Sequence, residues 1–130
     1  MLFPSIASLD TGPVFGVLGL WLPSFVHPFA FSLFTAAALP PRPAWRYGAC
    51  AAWCMVNVAF EMGQHPQVRA PLAEALQASV GPTLLTRPLA NYFLRGTFDG
   101  GDIVATLVGA LAATAVMCLM DRIWEKDHGR

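Results

Sequence analysis

Residues 25–39 read Phe-Val-His-Pro-Phe-Ala-Phe-Ser-Leu-Phe-Thr-Ala-Ala-Ala-Leu, and they lie inside a run of 31 residues, 11–41, that contains no Asp, Glu, Lys or Arg. A helix of a soluble protein buries one face and carries charged side chains on the other. A run of this length without a charged residue leaves no such outer face. The stretch therefore predicts a helix that crosses a membrane.

The composition of the whole chain supports this prediction. Hydrophobic residues make up 55% of the 130 residues and charged residues 12%, whereas ordinary soluble domains have about 45–50% apolar and about 25% charged residues. The formal net charge is zero, which argues against a surface for nucleic acid. A chain of 14.0 kDa has room for one domain, which we take to be residues 1–130.

Three apolar segments are long enough to cross the hydrocarbon core of a bilayer, which takes about 20 helical residues. We predict spans at residues 23–39, 44–64 and 102–123, and hence an all-α fold, a small polytopic transmembrane bundle. Upstream, residues 3–22 are apolar but interrupted by Pro and Gly. They leave two alternatives open, a poorly formed fourth span and a short interfacial or re-entrant segment, of which we favour the second.

The connection between the second and third spans, residues 65–101, contains a further helical pattern. Leu72, Leu76 and Val80 recur at helical spacing, and Pro71 lies in the first turn of the pattern. Apart from Pro71, the other positions within residues 71–80 are small or polar. The pattern therefore predicts a short amphipathic helix that lies on the membrane surface.

Basic residues in the short loops predict the orientation of the spans. They occur in the link between the first two spans and in the C-terminal tail, as Arg42, Arg46, Arg122, Lys126 and Arg130. Two crossings separate the link from the tail, so both segments can face the cytoplasm. We therefore predict a multi-pass protein with a cytoplasmic C-terminus and with the long connection on the opposite side.

Polar side chains gather where the second span ends and the third begins. Asn57, Glu61 and Gln64 share one helix face because they lie at i, i+4 and i+7. A carboxylate at the centre of an apolar helix costs about 2.5–3.5 kcal/mol and is normally paired, so we predict a pair with Arg95. The candidate ligand-binding cluster comprises the polar residues at this side of the membrane, Asn57, Glu61, Gln64, Arg95, Asp99 and Asp102.

The order of these residues along the chain also resembles a family pattern. The pattern has three parts: His27 at the start of an aromatic span, Phe60-Glu61-Met62-Gly63-Gln64 at the end of the next, and Arg95-Gly-Thr-Phe-Asp99-Gly-Gly-Asp102 before a helix rich in small residues. It is similar to that of the VanZ-like family of small membrane proteins. Thr106, where the family usually has Asn, and a longer link before Arg95 depart from it. The resemblance implies the bacterial inner membrane and an envelope role like that of accessory glycopeptide-resistance proteins, without a settled reaction.

Each of these polar features can have a purely structural role instead of a role in binding. A Glu61–Arg95 pair can lock two spans together or can belong to a pocket for a lipid head group. Asp99 and Asp102 can be helix caps. His27 has aromatic neighbours that would suit a haem or chlorophyll, but a structural histidine is the commoner case, so we predict no cofactor. We predict no metal site either, although carboxylates can hold a divalent cation.

A stripe of small residues marks the third span. Ala105, Gly109 and Ala113 follow one another at intervals of four, which lets another helix approach closely. The approaching helix is either the second span or part of another protein.

The sequence leaves two functions open. No Ser or Cys lies in a recognisable arrangement with a base, so we do not predict an enzyme. The first function is that of an envelope protein whose polar cluster binds membrane lipids or a lipid-linked precursor. The alternative is an accessory structural subunit of a larger energy-transducing or photosynthetic complex, with other membrane protein subunits as partners.

Overall fold

Five helices make up the part of the chain that the computed structural model describes, residues 13–81 and 83–128. They are α1 (Pro13–Ala38), α2 (Pro43–Gly63), α3 (Arg69–Val80), α4 (Thr86–Arg95) and α5 (Gly100–His128). No strand occurs among these described residues, which confirms the all-α prediction. α1, α2 and α5 pack on one another as a bundle, and α3 and α4 form a helical hairpin in the connection from α2 to α5.

α1 is longer than the sequence predicted. We expected a span to begin at Pro23 and a separate segment to precede it, but one helix runs from Pro13 through Pro23 and Pro28. The separate segment is therefore wrong for residues 13–22, and residues 3–12 lie outside the described residues. Proline is a good signal for a helix start, but an apolar helix tolerates it where a neighbour satisfies the freed carbonyl group.

A neighbouring helix satisfies the carbonyl group that Pro28 frees. Because proline has no backbone N–H, the carbonyl of Ser24, four residues earlier, loses its donor within α1. The Thr106 hydroxyl of α5 donates a hydrogen bond to this oxygen at 3.1 Å. Pro28 itself is fully buried. The break in the hydrogen bonding of α1 is therefore also a contact between α1 and α5.

The closest approach between α1 and α5 lies at Gly109. A Cβ atom at this position would overlap the Phe25 carbonyl oxygen and would lie 3.2 Å from Cγ of Pro28, so no residue larger than glycine fits without a shift. Ala113, one turn further on, is fully buried. At Gly109 the small-residue stripe thus lies against α1, whereas from the sequence we expected α2 or another protein.

Three small side chains and one methionine form the buried core of the bundle, and large apolar side chains cover its outside. The core is built on Ala36, Cys50, Ala113 and Met117. The exposed outer surface carries large apolar residues from all three long helices, among them Leu20, Leu22, Phe34, Met55, Leu111 and Leu119. Extended apolar surfaces of this kind mark contact with lipid or with another protein.

Two helices are long and apolar enough to cross a membrane, α1 over Gly19–Ala38 and α5 over Gly100–Lys126. We predicted three such spans from the sequence. α2 has 21 residues and is long enough, but Arg46, Asn57 and Glu61 make it less apolar than the other two. Two of the three predicted spans therefore meet both criteria among the described residues, and the crossing of α2, a more polar member of the bundle, stays a prediction.

The hairpin of α3 and α4 rests against the end of α2. The ring centroids of Phe93 in α4 and Phe60 in α2 lie 5.6 Å apart, and Leu72 of α3 lies beside Gly63. The short helix that we predicted in this connection forms as α3. Leu72 is half-buried in it, whereas Val80 at its end is exposed. The hairpin therefore contacts the bundle at one end only and presents its other end to the surroundings.

Gly109→Ala should destabilise the fold, because the added methyl group pushes α5 away from the Phe25 carbonyl. Gly48→Ala in α2 is the matched control, since nothing lies within 4 Å of a Cβ atom there and a helix favours alanine over glycine by about 0.8–1 kcal/mol. We expect the first substitution to lower the melting temperature in detergent and the second to preserve or raise it. Equal effects would show that α1 and α5 do not meet at Gly109.

Candidate functional site

Polar side chains from three helices converge at the first turn of α5. Asp99 directly precedes this helix, and its Oδ1 accepts a hydrogen bond from the Gly101 N–H at 2.8 Å. This bond is an N-cap, and the carboxylate also suits the positive end of the helix dipole. We expected α5 to begin at Asp102. It begins two residues earlier, at Gly100, so the N-cap is Asp99.

Glu61 joins the end of α2 to the same turn. Its Oε1 accepts a hydrogen bond from the backbone N–H of Asp99 at 2.9 Å. In a capping box the third residue of the helix, here Asp102, accepts this bond. Here the acceptor is instead the carboxylate of Glu61, which belongs to α2. One hydrogen bond thereby holds the end of α2 against the start of α5.

α1 contributes two donors to the cluster. The Ser24 hydroxyl donates to Oδ1 of Asp102 at 2.7 Å, and Nε1 of Trp21 donates to Oδ2 of Asp99 at 3.2 Å. Neither donor was predicted. Trp21 fell in the segment that we separated from the first span, and no local pattern set the Ser24 hydroxyl apart.

Gln64 belongs to this region and Asn57 does not. Gln64 is 7% exposed, and its side-chain amide lies against Gly96 in the loop before α5. Asn57 instead donates from Nδ2 to the Trp53 carbonyl, one turn earlier in α2, at 2.8 Å. The polar face predicted for α2 is therefore divided, because only its last turn reaches the cluster.

Arg95 is not part of the cluster. Its side chain is exposed at the end of α4, and within the described residues the one ion pair closer than 4 Å joins Arg46 to Asp121. The predicted pair between Glu61 and Arg95 is therefore wrong. The buried face of α4 ends at Phe93. Arg95 lies two residues later, on the opposite side of the helix.

Three carboxyl groups thus lie together with hydrogen-bond donors, rather than cations, as their partners. They belong to Glu61, Asp99 and Asp102, and the positive end of the α5 dipole favours their charge. The charge of Glu61 also acts on α4, where burial and then this carboxylate raise the pKa of the Tyr92 hydroxyl above its ordinary value. A cluster of this kind favours a ligand that donates hydrogen bonds, such as an ammonium or a hydroxyl group, over an anion.

His27 lies on the outer surface of α1. Its side chain is exposed, and its ring centroid lies 5.8 Å from that of Phe31. A haem or pigment held by His27 would therefore sit on the outside of the bundle. Among the described residues, no three His, Cys, Asp or Glu side chains are grouped so that they could hold a metal ion.

The opposite end of the bundle carries a polar contact that we did not predict. Arg46 at the start of α2 forms an ion pair with Asp121 near the end of α5. Beside it, the Tyr47 hydroxyl and the Cys118 sulfur lie 3.3 Å apart. The signal was present in the sequence, because Arg46 and Asp121 have opposite charges at span ends that we placed on one side of the membrane.

An apolar groove runs between α1 and α5 beside the polar cluster. Its volume is about 660 Å³, and its lining residues are Gly19, Trp21, Leu22, Phe25, Gly101, Val104, Ala105 and Val108. Trp21 belongs both to this lining and to the hydrogen bonds of Asp99. The groove therefore opens next to the carboxyl groups, and an elongated molecule in it could place a polar end at the cluster.

No known protein family, curated protein or solved structure matches this chain. The similarity to the VanZ-like family therefore rests on the residues quoted from the sequence. Of those residues, Glu61, Gln64 and Asp99 meet in one site with Asp102, whereas Arg95 and His27 lie apart from it.

Thr106→Val should cost about 1–3 kcal/mol, because it leaves the part-buried Ser24 carbonyl without a donor. In a Pro28→Ala background the helix regains the N–H for this carbonyl, so the same substitution should cost less there. Chemical denaturation of the four proteins in detergent measures the difference. Additive losses would mean that Thr106 does not replace the donor that Pro28 removes.

Glu61→Ala should cost about 0.5–1.5 kcal/mol, because the Asp99 N–H loses its acceptor. Glu61→Gln keeps an acceptor oxygen and should cost less. Arg95→Ala, at an exposed position, should stay within about 0.5 kcal/mol and should add to Glu61→Ala without coupling. Unfolding in detergent measures these values. A coupling energy of about 1 kcal/mol or more between Glu61 and Arg95 would support the ion pair predicted from the sequence.

Proposed function

We propose that this chain is a small integral membrane protein in which α1, α2 and α5 cross the bilayer. Two observations support the proposal. α1 and α5 are long and apolar enough to cross, and the bundle has mostly small residues in its core and large apolar residues on its outside. Lipid tails cover such an outside at no cost, and small residues let helices pack closely in lipid.

α2 crosses with the other two helices in this proposal, although it is less apolar. Arg46 and Glu61 lie near its two ends, 15 positions apart, which corresponds to about 22 Å along a helix. Each finds a partner at one end of α5, Asp121 and the Asp99 N–H respectively. Both charged groups of α2 therefore lie towards the surfaces of the hydrocarbon core, where a charge costs less than at its centre.

We place the protein in the bacterial inner membrane with its C-terminus in the cytoplasm. Arg42, Arg46, Arg122 and Lys126 gather at the end where α2 begins and α5 ends, and an excess of Lys and Arg marks the cytoplasmic side. The hairpin carries three Arg residues at the other end, which reduces this bias without reversing it. The resemblance to the VanZ-like family supports an envelope location.

The function that the geometry supports best is the binding of a lipid or a lipid-linked precursor. The observation that carries it is the apolar groove between α1 and α5, which opens beside Trp21 and Asp99. The groove takes an acyl chain, and the carboxyl groups at its mouth accept hydrogen bonds from ammonium or hydroxyl groups of the head group. Arg95, which we predicted to belong to the ligand-binding cluster, has no part in this site.

Native mass spectrometry of the protein in mild detergent tests the lipid site. We expect the chain to retain lipid and Val108→Trp to lose it, because the larger side chain fills the groove. Leu111→Trp is the matched control, since it enlarges an exposed side chain of the same helix outside the groove. Equal retention by both variants would contradict the groove as the binding site.

An accessory subunit of a larger membrane complex is the second candidate function. A second groove between α1 and α5, of about 330 Å³, lies at the opposite end and includes Phe34 in its lining. The Phe34 side chain is 70% exposed, so a partner helix can reach it. The small-residue stripe does not support this function, because at Gly109 it contacts α1 of the same chain. Migration with larger subunits in mild detergent, rather than as a 14.0 kDa chain, would support it.

A further inference from the structure

Two leucine side chains in the turn between α3 and α4 are the most exposed large apolar side chains in the described part of the chain. Leu84 is 93% exposed and Leu85 80%, and Val80 at the end of α3 is 60% exposed. We call these three residues the hairpin tip. They lie at the free end of the hairpin, away from the contact of Phe93 with Phe60. Within the described residues, the chain leaves the hairpin tip uncovered.

The turn is built so that these side chains stay exposed. Oγ1 of Thr83 accepts a hydrogen bond from the Thr86 N–H at 3.2 Å, and Oγ1 of Thr86 accepts one from the Thr83 N–H at 2.8 Å. The two bonds are reciprocal, as in a capping box, but they lie in the turn that precedes α4. The Thr86 hydroxyl also donates to the Gly81 carbonyl at 2.6 Å. The two leucines lie between the paired threonines, so the hydrogen bonds fix them on the outside of the turn.

We propose that the hairpin tip inserts into the interface of the same bilayer that α1, α2 and α5 cross. This inference rests on the proposed function. Phe60 lies one turn before the end of α2, and its ring meets those of Tyr92 and Phe93 in α4. The end of the hairpin therefore lies beside the last turn of α2, at the level where the proposed crossing places the edge of the hydrocarbon core.

The surroundings of the hairpin favour lipid as the occupant. Exposed apolar side chains continue from the outer face of α2 to α4, as Phe60, Met62, Tyr92 and Leu94, so the lipid-facing surface of the bundle extends onto the hairpin. Tyrosine is typical of membrane interfaces. Arg87 is exposed next to the tip, and an arginine there can reach the head groups while its stem stays in apolar surroundings. Segments of this kind lie about 5–10 Å into the interface.

Fluorescence quenching of the full chain in lipid nanodiscs tests the insertion. In a background with Cys50, Cys54 and Cys118 changed to Ala, a bimane label is placed at Leu84→Cys, or at Glu74→Cys or Leu111→Cys as controls. Glu74 lies on the exposed surface of α3 and Leu111 on the outside of α5. We expect nitroxides on the upper acyl chain to quench the label at position 84, and aqueous iodide to quench it several-fold less than the label at position 74.

The three labels separate the possible failures. Iodide quenching at position 84 equal to that at position 74, with lipid quenching kept at position 111, would overturn the insertion and leave the proposed function intact. Protection of position 84 from both quenchers would also overturn it, because protein would then cover the tip. Absence of lipid quenching at position 111 would overturn the membrane crossing itself, and the insertion with it. Leu85→Cys replaces Leu84→Cys if the labelled chain loses helical content.

Discussion

Because Pro28 has no N–H, the Ser24 carbonyl needs a donor from outside α1, and in apolar surroundings an unpaired carbonyl is costly. Thr106 supplies that donor. This contact brings α5 so close to α1 that the next turn has room only for Gly109. With the two helices held in this register, the Ser24 hydroxyl reaches Asp102. One missing backbone N–H thus sets the position of α5 and, through it, the polar groups that meet at its first turn.

The start of α5 also shows how the long connection is closed. Thirty-seven residues, 65–101, separate the second and third of the spans that we predicted. Glu61 closes this loop by accepting a bond from the Asp99 N–H, which a residue of α5 itself would accept in an ordinary capping box. Helix starts need acceptors and negative charge, and cations do not serve this purpose. The carboxylate at the end of α2 is therefore explained without a cationic partner.

The sequence predicted the helical content, the helix in the connection and part of the polar cluster, namely Glu61, Gln64, Asp99 and Asp102. These follow from local patterns of apolar residues, proline and charge. It did not predict that α1 continues through Pro23. It also did not predict the partner of Glu61. We chose Arg95 because it is the nearest cation along the chain beside another span, but distance along the chain does not determine how α4 is rotated. The packing of Phe93 against Phe60 sets that rotation and turns Arg95 outwards.

The two ends of the bundle differ in their electrostatics, and the difference bears on the proposed orientation. At the end that we place in the cytoplasm, Arg46 neutralises Asp121, and Arg122 and Lys126 add positive charge. At the other end the carboxyl groups around Asp99 have neutral donors as partners. A membrane potential that is negative inside favours cations on the inner side and anions on the outer side, by about 2.3 kcal/mol per charge moved across 100 mV. In the proposed orientation, the carboxylates that cap α5 would keep their negative charge on the side where the potential stabilises it. Replacing their neutral donors with cations would remove this contribution to the orientation.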